Sequence, residues 1–512
     1  MRPFSFGVRR VRAYSRLDLV RSISVRCTPC AQQNHSSARR VSYAFIGAAC
    51  LATIVSCATP ARTIVAPEEA IAEIAGLADA VEFRAVGPDG GPLDEPMAPG
   101  VTLGFADAVR RAVTSDPGLQ AALARVHIAR ADADQARLLP NPVLNVVLRF
   151  GSGDPQVEAS FAQAFVEGIQ LPRRASAADN RLRAVAADAV VTALDVVSEV
   201  AESYISAQAS AALRPLLEER SALVERLVAT ARARLDAGEG TRADVVTLDA
   251  QRVELAVSID RSRLEERAKR LRLARLIGEP SSMAMWTLDA WTVPANVDRP
   301  ESAWIDRGLL ARPEIQAVVW RLKALDDDEA LVRLLPFEGA NVGLDLQRDD
   351  GSSVGPALTT PLPIFDVGQA KKARLTAQQI EARHELTLEK RKVVEQVRTA
   401  YEALAATRVN LARIRDELIP LQRQRRQLAE DSYRAGQTDV TPLFLAEQEL
   451  RIAETLAIEV EAKAAIARVR LQRAVGGVGV ATSLTSTDLD SRAEDRPRMV
   501  VDRSESSSSR KP

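Results

Sequence analysis

The sequence predicts a mainly α-helical protein with a small β part, arranged as two tandem repeats of a long helical hairpin and two β-strands. Composition is the first reason, because aromatic residues make up only 4% of the 512 residues while alanine is abundant. Small side chains suit long helices that pack side by side, since the distance between helix axes depends on the side chains at the contact. The other two reasons are a repeated order of motifs and a seven-residue apolar period in the long segments.

The repeat is visible as pairs of similar segments separated by a nearly constant distance. "DPGLQAALAR" at 116–125 matches "RPEIQAVVWR" at 312–321, and "RLLPNPVLNVVLRF" at 137–150 matches "RLLPFEGANVGLDLQ" at 333–347. The offset between such pairs stays near 191–198 residues along the body of the chain. A register that persists over so many segments indicates a duplicated structural unit.

These matches divide the body of the chain into repeat 1 at 101–279 and repeat 2 at 311–477. Residues 280–310 connect the two repeats and are predicted to wrap the helices as an equatorial belt. Large aromatic rings in such a belt fill gaps between helices more often than they bind ligands. The connector contains three of them, Trp286, Trp291 and Trp304.

Each repeat is predicted to begin with a helix and to continue into two short strands. In repeat 1 the helix starts at Thr102 as its N-cap and stops before Pro140. Its strands are predicted at 143–151 and 156–171, and those of repeat 2 at 340–347 and 355–364, with turn-forming residues between them. Their side chains alternate in size as if one face met lipid and the other met water, which is typical of membrane barrel segments.

A very long helical segment follows the strands in each repeat. In repeat 2 it runs from about Gln369 to Ala435, and at about 1.5 Å per residue it spans on the order of 90–100 Å. Pro420 is predicted to kink this arm or to divide it into two stacked helices, and Pro215 to do the same in repeat 1. The glycine break that ends the arm is predicted to be the tip of a helical hairpin.

Two apolar rows with heptad spacing run along each arm of this hairpin, as in a coiled coil. The first arm carries Val397, Leu404, Leu411 and Leu418 in one row, and Val393, Ala400, Thr407, Ile414 and Leu421 in the other. The returning arm carries Leu443, Leu450, Ala457, Ala464 and Leu471, and Ala446, Ala453, Val460, Ala467 and Ala474.

The predicted unit cannot be complete as a single chain. Alanine-rich rows offer little apolar area, so each hairpin needs neighbours. Four strands cannot close a barrel, and lipid does not tolerate the open edges of a sheet. Three chains with four strands each would supply twelve strands. The sequence therefore predicts a homotrimer with a 12-stranded β-barrel on an α-helical barrel.

The order of these motifs resembles the TolC family of outer-membrane efflux proteins over about residues 101–477. The resemblance is carried by the repeated "RPEIQAV"-type opening, "ARLLPNPVL" before the first strand, "PLPIFDVGQAKKARL" after the last, and "YRAGQTDVTPLFLAEQELRIA" at the second tip. It implies an outer-membrane barrel, a helical cylinder that crosses the periplasm, and passive export of solutes. The implied partners are a periplasmic adaptor and an inner-membrane pump of the RND type. "ARLLPNPVLNVVL" followed by "EGIQLPRRASAADNR" is most similar to the branch that exports metal cations.

The resemblance gives the two glycine breaks a role, because the family closes its tunnel and docks its adaptor at these tips. Gly238, Gly240 and Gly436 let the backbone reverse, while Thr241 and Thr438 cap the returning helices.

Acidic residues at the tips have two interpretations. Asp244 and Asp439 favour the positive N-termini of the returning helices. Asp244 and Asp249 are also candidates for an inward acidic ring that attracts cations. The alternative is that both are caps or outward solvated charges. Relatives often carry gate aspartates in the second tip, whereas this chain reads "TPLFL" at 441–445, so the second tip is expected to close by apolar packing.

The amino end is predicted to be a signal peptide, residues 1–57. Arg39 and Arg40 precede an apolar stretch at 43–56 that is too short to span a bilayer. "IVSC" resembles a bacterial lipobox and makes Cys57 the candidate lipid anchor, although a plain secretory signal with an incidental cysteine is the alternative. Residues 58–100 are predicted to be extended, and the polar tail at 478–512 to be disordered.

Composition and residue spacing exclude several other functions. The 68 basic and 68 acidic residues cancel, which argues against nucleic-acid binding. No cysteine follows Cys57, and the three histidines lack metal-ligand spacing, so neither a metal site nor a cofactor is expected. Catalytic motifs are also missing from the sequence, so an enzyme is not expected. The remaining alternative is a periplasmic adaptor or a structural lipoprotein, but two hairpins that each follow a strand pair argue against it.

Overall fold

The structure is a computed structural model that describes residues 66–77, 81–84, 97–98, 100–150, 155–289, 299–348, 351–435, 437–438 and 440–477. The chain divides into two units, Met1–Thr59 and Pro60–Pro512, and every described residue belongs to the second unit. The predicted signal peptide with its anchor Cys57, most of the segment at 58–100, and the tail at 478–512 therefore lie outside the described residues. The described part of 58–100 corrects the prediction that this segment is extended, because Pro67–Ala75 forms a helix.

Long helices dominate the described part of the chain, and short strands interrupt them twice. The helices are α1 (Pro67–Ala75), α2 (Phe105–Ser115), α3 (Pro117–Ala136), α4 (Val166–Asp236), α5 (Arg242–Leu276), α6 (Glu301–Ala311), α7 (Pro313–Val332), α8 (Gln369–Ala412), α9 (Ile419–Arg434) and α10 (Val440–Ala474). The strands are β1 (Thr102–Leu103), β2 (Val143–Arg149), β3 (Gln156–Ala164), β4 (Thr287–Leu288), β5 (Asn341–Arg348) and β6 (Ser352–Thr359).

The opening of each repeat is a pair of helices and not the single helix that was predicted. Thr102 is not an N-cap but part of β1, which pairs in parallel with β4. A break separates α2 from α3 because Asp116 caps α3 through the backbone N–H of Leu119, and Pro117 occupies the first turn. The same break recurs between α6 and α7 at Arg312 and Pro313.

The connector between the repeats is shorter than predicted. Helix α6, at Glu301–Ala311, corresponds to α2 in repeat 1, so the last third of 280–310 belongs to repeat 2. Trp286 and Trp304 are buried, as expected for rings that fill gaps, and Trp291 lies outside the described residues. Tyr204 holds the β1–β4 pair, since its hydroxyl donates to the carbonyl of Leu103 at 2.9 Å and accepts from the N–H of Asp289 at 3.2 Å.

The prolines in the two long arms have different effects on the helix. Helix α4 has 71 residues, about 105 Å, and continues through Pro215 without a break in secondary structure, so of the two predicted outcomes, a kink or a division, the division does not occur. In repeat 2, a π-helical segment at Arg413–Leu418 separates α8 from α9 and leads directly into Pro420. A proline cannot donate a backbone hydrogen bond, and the wider π turn adapts the helix to its ring.

The predicted heptad rows are largely confirmed as buried contacts within one chain. Four residues of α8 pack with three of α10: Val393, Val397, Ala400 and Leu404 with Ala467, Leu471 and Ala474. Within and directly after the π-helical segment, Ile414 and Ile419 pack with Leu450, Ala453, Ala457 and Val460. Leu421 was assigned wrongly, because it is 62% exposed. The π segment changes the helical register, and Ile419 takes the buried position instead.

The two strand pairs join into one antiparallel sheet with the order β2-β3-β5-β6. Two predicted strand ends were wrong. Residues 166–171 start α4 and do not extend β3, because a short apolar run fits either structure. Strand β6 runs from Ser352 to Thr359 and ends before the prolines Pro361 and Pro363, which lack the N–H that a ladder needs.

The long helices pack in a row. Helix α4 packs against α5 on one side and α10 on the other, and α10 packs against α8 and α9. Helices α5 and the α8–α9 arm are therefore the outer members of the row in the described part of the chain. The largest apolar cluster surrounds α4 where α1, α2, the end of α5 and α10 meet it. This arrangement places the sheet at one end of α4 and the two hairpin tips at the other.

Candidate functional site

The four-stranded sheet has one apolar face. Cross-strand partners in an antiparallel sheet project to the same side, so the pairing register assigns every residue to a face. We call a row of residues paired side by side across the four strands a level. Leu144, Phe161, Leu344 and Pro356 form one apolar level. The same face carries Val146, Leu148, Val157, Ala159, Val342, Leu346, Val354 and Leu358.

Most of these apolar side chains are exposed in the chain. Leu144, Leu344 and Leu358 are each more than half exposed, at 67%, 55% and 71%. A soluble sheet buries such a face, because exposing it to water costs about 25 cal/mol for each Å². An apolar face of this extent marks a surface that another phase or another chain covers.

The opposite face of the same sheet is polar. It carries Asn145, Arg149, Glu158, Ser160, Asn341, Asp345, Gln347, Ser353 and Thr359. Arg149 and Glu158 form an ion pair at 2.5 Å across the β2–β3 hairpin. The sequence predicted this division into an apolar and a polar side, and the register confirms it at most positions. The exceptions are Val143 and Val147 on the polar face, and Gln163, Arg348 and Ser352 on the apolar face.

Exposed apolar residues also surround the junction between the sheet and the helices. Phe365 is 91% exposed where the chain leaves β6 for α8. Other exposed residues at this junction are Leu138, Phe165, Ile169, Phe337, Leu362, Ile364 and Val367. Phe150, at the far end of β2, is exposed as well. Aromatic residues at both ends of an apolar band about 25 Å tall are typical of a strand that crosses an outer membrane.

The first tip is a tight reversal at Ala237–Thr241 between α4 and α5. Gly238 has a φ of +76°, a conformation that glycine adopts without strain. The N–H of Glu239 donates to the carbonyl of Arg234 at 2.8 Å and closes the end of α4. A Cβ on Gly240 would lie 3.1 Å from the backbone nitrogen of Leu235, so the turn approaches α4 closely. Thr241 directly precedes α5, which is the N-cap position.

Asp249, a candidate for the acidic ring, is paired with two arginines within its own hairpin. Its carboxylate accepts from Nη2 of Arg232 on α4 at 2.9 Å, and it lies 3.3 Å from Nη2 of Arg252 on α5. The two guanidinium groups offset its charge in this conformation. Asp244 belongs to α5, but its side chain lies outside the described residues, so the ring of Asp244 and Asp249 stays a prediction.

The second tip connects α9 to α10. Thr438 is exposed at this tip, whereas Gly436 and Asp439 lie outside the described residues. The N–H of Gln437 donates to the carbonyl of Ser432 at 3.0 Å and closes the end of α9.

An apolar cluster joins the two hairpins near their tips, and we call it the tip cluster. Phe444 of α10 is only 4% exposed because it inserts against α4 and α5 of the first hairpin. Tyr433 of α9 packs against the same group. The first hairpin contributes Val224, Leu227, Val228, Ala231, Leu248, Leu255 and Ile259.

Helix α5 is apolar on two opposite faces. Its buried face carries Leu248, Leu255, Ile259 and Leu273. The exposed face, which we call the outer stripe, is formed by Val246, Val253, Val257, Leu264 and Leu271. Steps of seven and four residues separate its members, as in a coiled coil. The sequence contains this signal, but the heptad rows predicted from it lie in repeat 2 and did not include the stripe.

Two kinds of feature are absent from the described residues. None of their helices is both long and apolar enough to cross a membrane. They also contain no group of three or more His, Cys, Asp and Glu side chains placed to hold a metal ion.

Comparison with known proteins relates the fold to outer-membrane channels. No family model matches the sequence. The outer membrane efflux protein BepC of Brucella suis biovar 1 (strain 1330) is 22% identical over 325 residues, which are 61% of this chain and 70% of BepC. The solved outer-membrane channel OprN is 19% identical with a TM-score of 0.60 and covers 73% of this chain and 90% of its own. The outer membrane protein VceC of Vibrio cholerae is 17% identical with a TM-score of 0.59, over 73% of this chain and 96% of its own.

Proposed function

We propose that this chain, which has the fold of the TolC-like outer-membrane channels, is the outer-membrane conduit of a tripartite efflux system. The observation that carries the proposal is the sheet, because it has an apolar face, a polar face and two outer strands, β2 and β6. Lipid would cover the apolar face, and the polar face would line a water-filled passage. The name of the relative BepC, an efflux protein, supports the direction of transport.

Closure of the barrel requires further copies of the chain, and we propose a homotrimer. Outer strands that remain unpaired in lipid would expose backbone polar groups that nothing satisfies. Three copies of the sheet, each contributing β2, β3, β5 and β6, would close a 12-stranded barrel. The outer stripe of α5 and the exposed Leu421 and Leu428 of α9 lie on the two outer members of the helix row. They supply apolar surfaces through which neighbouring copies would close the helical barrel.

The hairpin tips are the proposed entrance and the docking region for a periplasmic adaptor and an RND-type inner-membrane pump. The proposed contact residues are those singled out from the sequence, Gly238, Gly240, Thr241, Asp244, Asp249, Gly436, Thr438 and Asp439. The tip cluster fastens the two hairpins of one chain to each other near these tips. The fold supports a channel more strongly than an adaptor or a structural lipoprotein, since these alternatives do not need a sheet with an exposed apolar face.

The proposed location is the outer membrane, with a lipid anchor at Cys57 and the helices extending into the periplasm. The test of the anchor is metabolic labelling with palmitate. We expect labelling to be lost in Cys57→Ala and kept in Cys50→Ala, the matched cysteine that a poorer lipobox precedes. Labelling that survives Cys57→Ala would contradict the anchor but not the channel.

Metal cations are the cargo that the sequence resemblance implies, and this part of the proposal has a separate test. Loss of the protein in its native host should lower tolerance to a divalent or monovalent metal salt and leave tolerance to organic dyes unchanged. The reverse pattern would exclude metal export and keep the conduit.

The conduit itself is tested by matched arginine substitutions on the two faces of the sheet. Leu344 lies on the apolar face between Phe161 and Pro356, and Gln347 lies on the polar face between Glu158 and Ser353. Arginine on a lipid-facing position near the bilayer centre costs about 2–4 kcal/mol. We therefore expect Leu344→Arg to lower the yield of heat-resistant trimers in outer-membrane fractions, whereas Gln347→Arg assembles normally. Equal assembly of both variants would contradict the proposed orientation of the sheet. If the unaltered protein formed no pores in planar bilayers, the proposed channel would be contradicted.

A further inference from the structure

One level of the polar face carries a carboxylate among small and neutral neighbours. Asp345 of β5 pairs with Ser160 of β3 on one side and with Gly355 of β6 on the other. Asn145 of β2 completes this level through its pairing with Ser160. Both direct neighbours of Asp345 have short side chains or none, so its carboxylate projects beyond them, and the residue is exposed.

The levels on one side of Asp345 are also made of small residues. Gly343 pairs with Ala162 and with Ala357. The side chains at these three positions therefore project little from the same face. A Cβ on Gly355 would meet no atom within 4 Å, which shows that the space beside Asp345 is open. Asp345 is therefore the charged side chain of these two levels of the polar face.

The charges on the polar face do not cancel. In the described strands this face carries Arg149, Glu158 and Asp345, and Arg149 is paired with Glu158 at 2.5 Å. One positive and two negative charges leave a net charge of −1 for each chain, and it is located at Asp345. The position diagonal to Asp345 on β3 is Glu158, so no positive charge adjoins the carboxylate among its cross-strand and diagonal neighbours.

We infer that Asp345 makes the strand-lined passage select for cations over anions. The inference rests on the proposed barrel, in which the polar face lines the lumen and symmetry places one Asp345 per chain at the same height. Rings of carboxylates in a pore attract cations and repel anions. The small residues around Asp345 keep the passage wide at this level, so its charge acts on passing ions without blocking them.

The experiment measures the reversal potential of single channels in planar bilayers under a potassium chloride gradient. Asp345→Asn keeps the size of the side chain and removes its charge. We expect the permeability ratio of potassium to chloride to fall by about threefold, which matches the roughly 1 kcal/mol or less that a charge contributes through water at short range. The difference should shrink near 1 M salt, where the screening length drops to about 3 Å.

The matched control is the double variant Arg149→Gln with Glu158→Gln, which removes two charges from the same face without changing its net charge. We expect this control to keep the permeability ratio and Asp345→Glu to keep it as well. Open channels whose ratio is unchanged in Asp345→Asn would overturn the inference and leave the conduit standing. If the unaltered protein formed no channels, the proposed function and this inference would both be overturned.

Discussion

A buried ion pair fastens α3 to α4 just below the sheet. Nη2 of Arg137 lies 2.5 and 2.7 Å from the two carboxylate oxygens of Asp179, and both residues are buried. Nη1 of Arg137 donates to the carbonyl of Ala133 at 2.7 Å. Removing one partner of such a pair leaves the other charge buried without compensation, which is strongly destabilising. The sequence did not reveal this contact, because the two residues are far apart along the chain.

We expect Asp179→Ala to lower the free energy of unfolding by about 3–5 kcal/mol. Asp188→Ala is the matched control on the same helix, since Asp188 pairs with Arg321 at 2.7 Å but both side chains are about half exposed. An exposed pair contributes less than about 1 kcal/mol, so the control should be nearly neutral. Thermal unfolding in detergent, followed by circular dichroism, measures both variants. Similar losses in the two would show that burial does not set the strength of the first pair.

Glu314, at the start of α7, makes the stability of the helices depend on pH in the acidic range. Burial alone would raise the pKa of this carboxyl group, but Arg473 at 2.9 Å and Arg312 at 3.1 Å lower its pKa below the ordinary value. A carboxyl group with a lowered pKa in the folded chain stabilises the fold above its unfolded pKa. That contribution is lost as the pH falls below about 4.3 towards the folded pKa.

The test compares unfolding of the unaltered protein and Glu314→Gln between neutral pH and about pH 3. We expect the unaltered protein to lose more stability over this range, because the glutamine variant has no proton to take up at this position. Asp195, which also contacts Arg473 at 2.7 Å, stays in both proteins and does not account for the difference. Identical acid dependence of the two proteins would remove Glu314 as the cause.

At the scale of helices and strands, the elements that follow from long-period sequence patterns were predicted well, and the ends of elements were predicted less well. Heptad rows and repeat offsets extend over many residues, so local exceptions do not hide them. The break at Asp116 and Pro117 was missed because the apolar pattern continues across it. The end of β3 was misplaced because "FVEGIQL" fits a strand or a helix equally. The π-helical segment before Pro420 could not be predicted, since the chain could also have bent or divided there.

Phe444 is the buried residue through which α10 joins the tip cluster. Removing a buried phenylalanine ring costs about 3–5 kcal/mol because a cavity remains. We expect Phe444→Ala to loosen the contact between the two hairpins while the sheet stays unchanged. Hydrogen exchange should rise at 224–231 of α4 and at 248–259 of α5, which contain its partners.

Leu445→Ala is the matched control for the tip cluster, because the neighbouring Leu445 is 43% exposed. Its truncation should leave the exchange rates of both segments nearly unchanged. Rapid exchange at the tips of both variants would instead show that the hairpins separate without help from Phe444.

The chain exposes apolar surfaces and unpaired strands that a single copy cannot cover. The sequence predicted this only in part. Unpaired strands and alanine-rich rows indicated a trimer, but the sequence did not show whether the predicted row with Leu404 and Leu411 packs within one chain or between copies. The structure places Leu404 in a buried cluster between α8 and α10 of one chain, and Leu411 packs against the next cluster. An aspartate at either position would therefore damage the fold of the chain before it tested the trimer.

The outer stripe of α5 offers a cleaner test of assembly. Val257 and Leu264 are 56% and 70% exposed, on the face opposite the buried Leu255 and Ile259. Aspartate at both stripe positions would put two charges into the proposed contact with a neighbouring copy without touching the core of the chain. We expect Val257→Asp with Leu264→Asp to convert trimers into monomers in detergent, measured by light scattering, while helix content is unchanged. Ser258→Asp, also exposed but beside the stripe, should remain trimeric. Trimers that survive the double substitution would mean that the copies meet through the strands alone, and the helical barrel would then have no closing contact at α5.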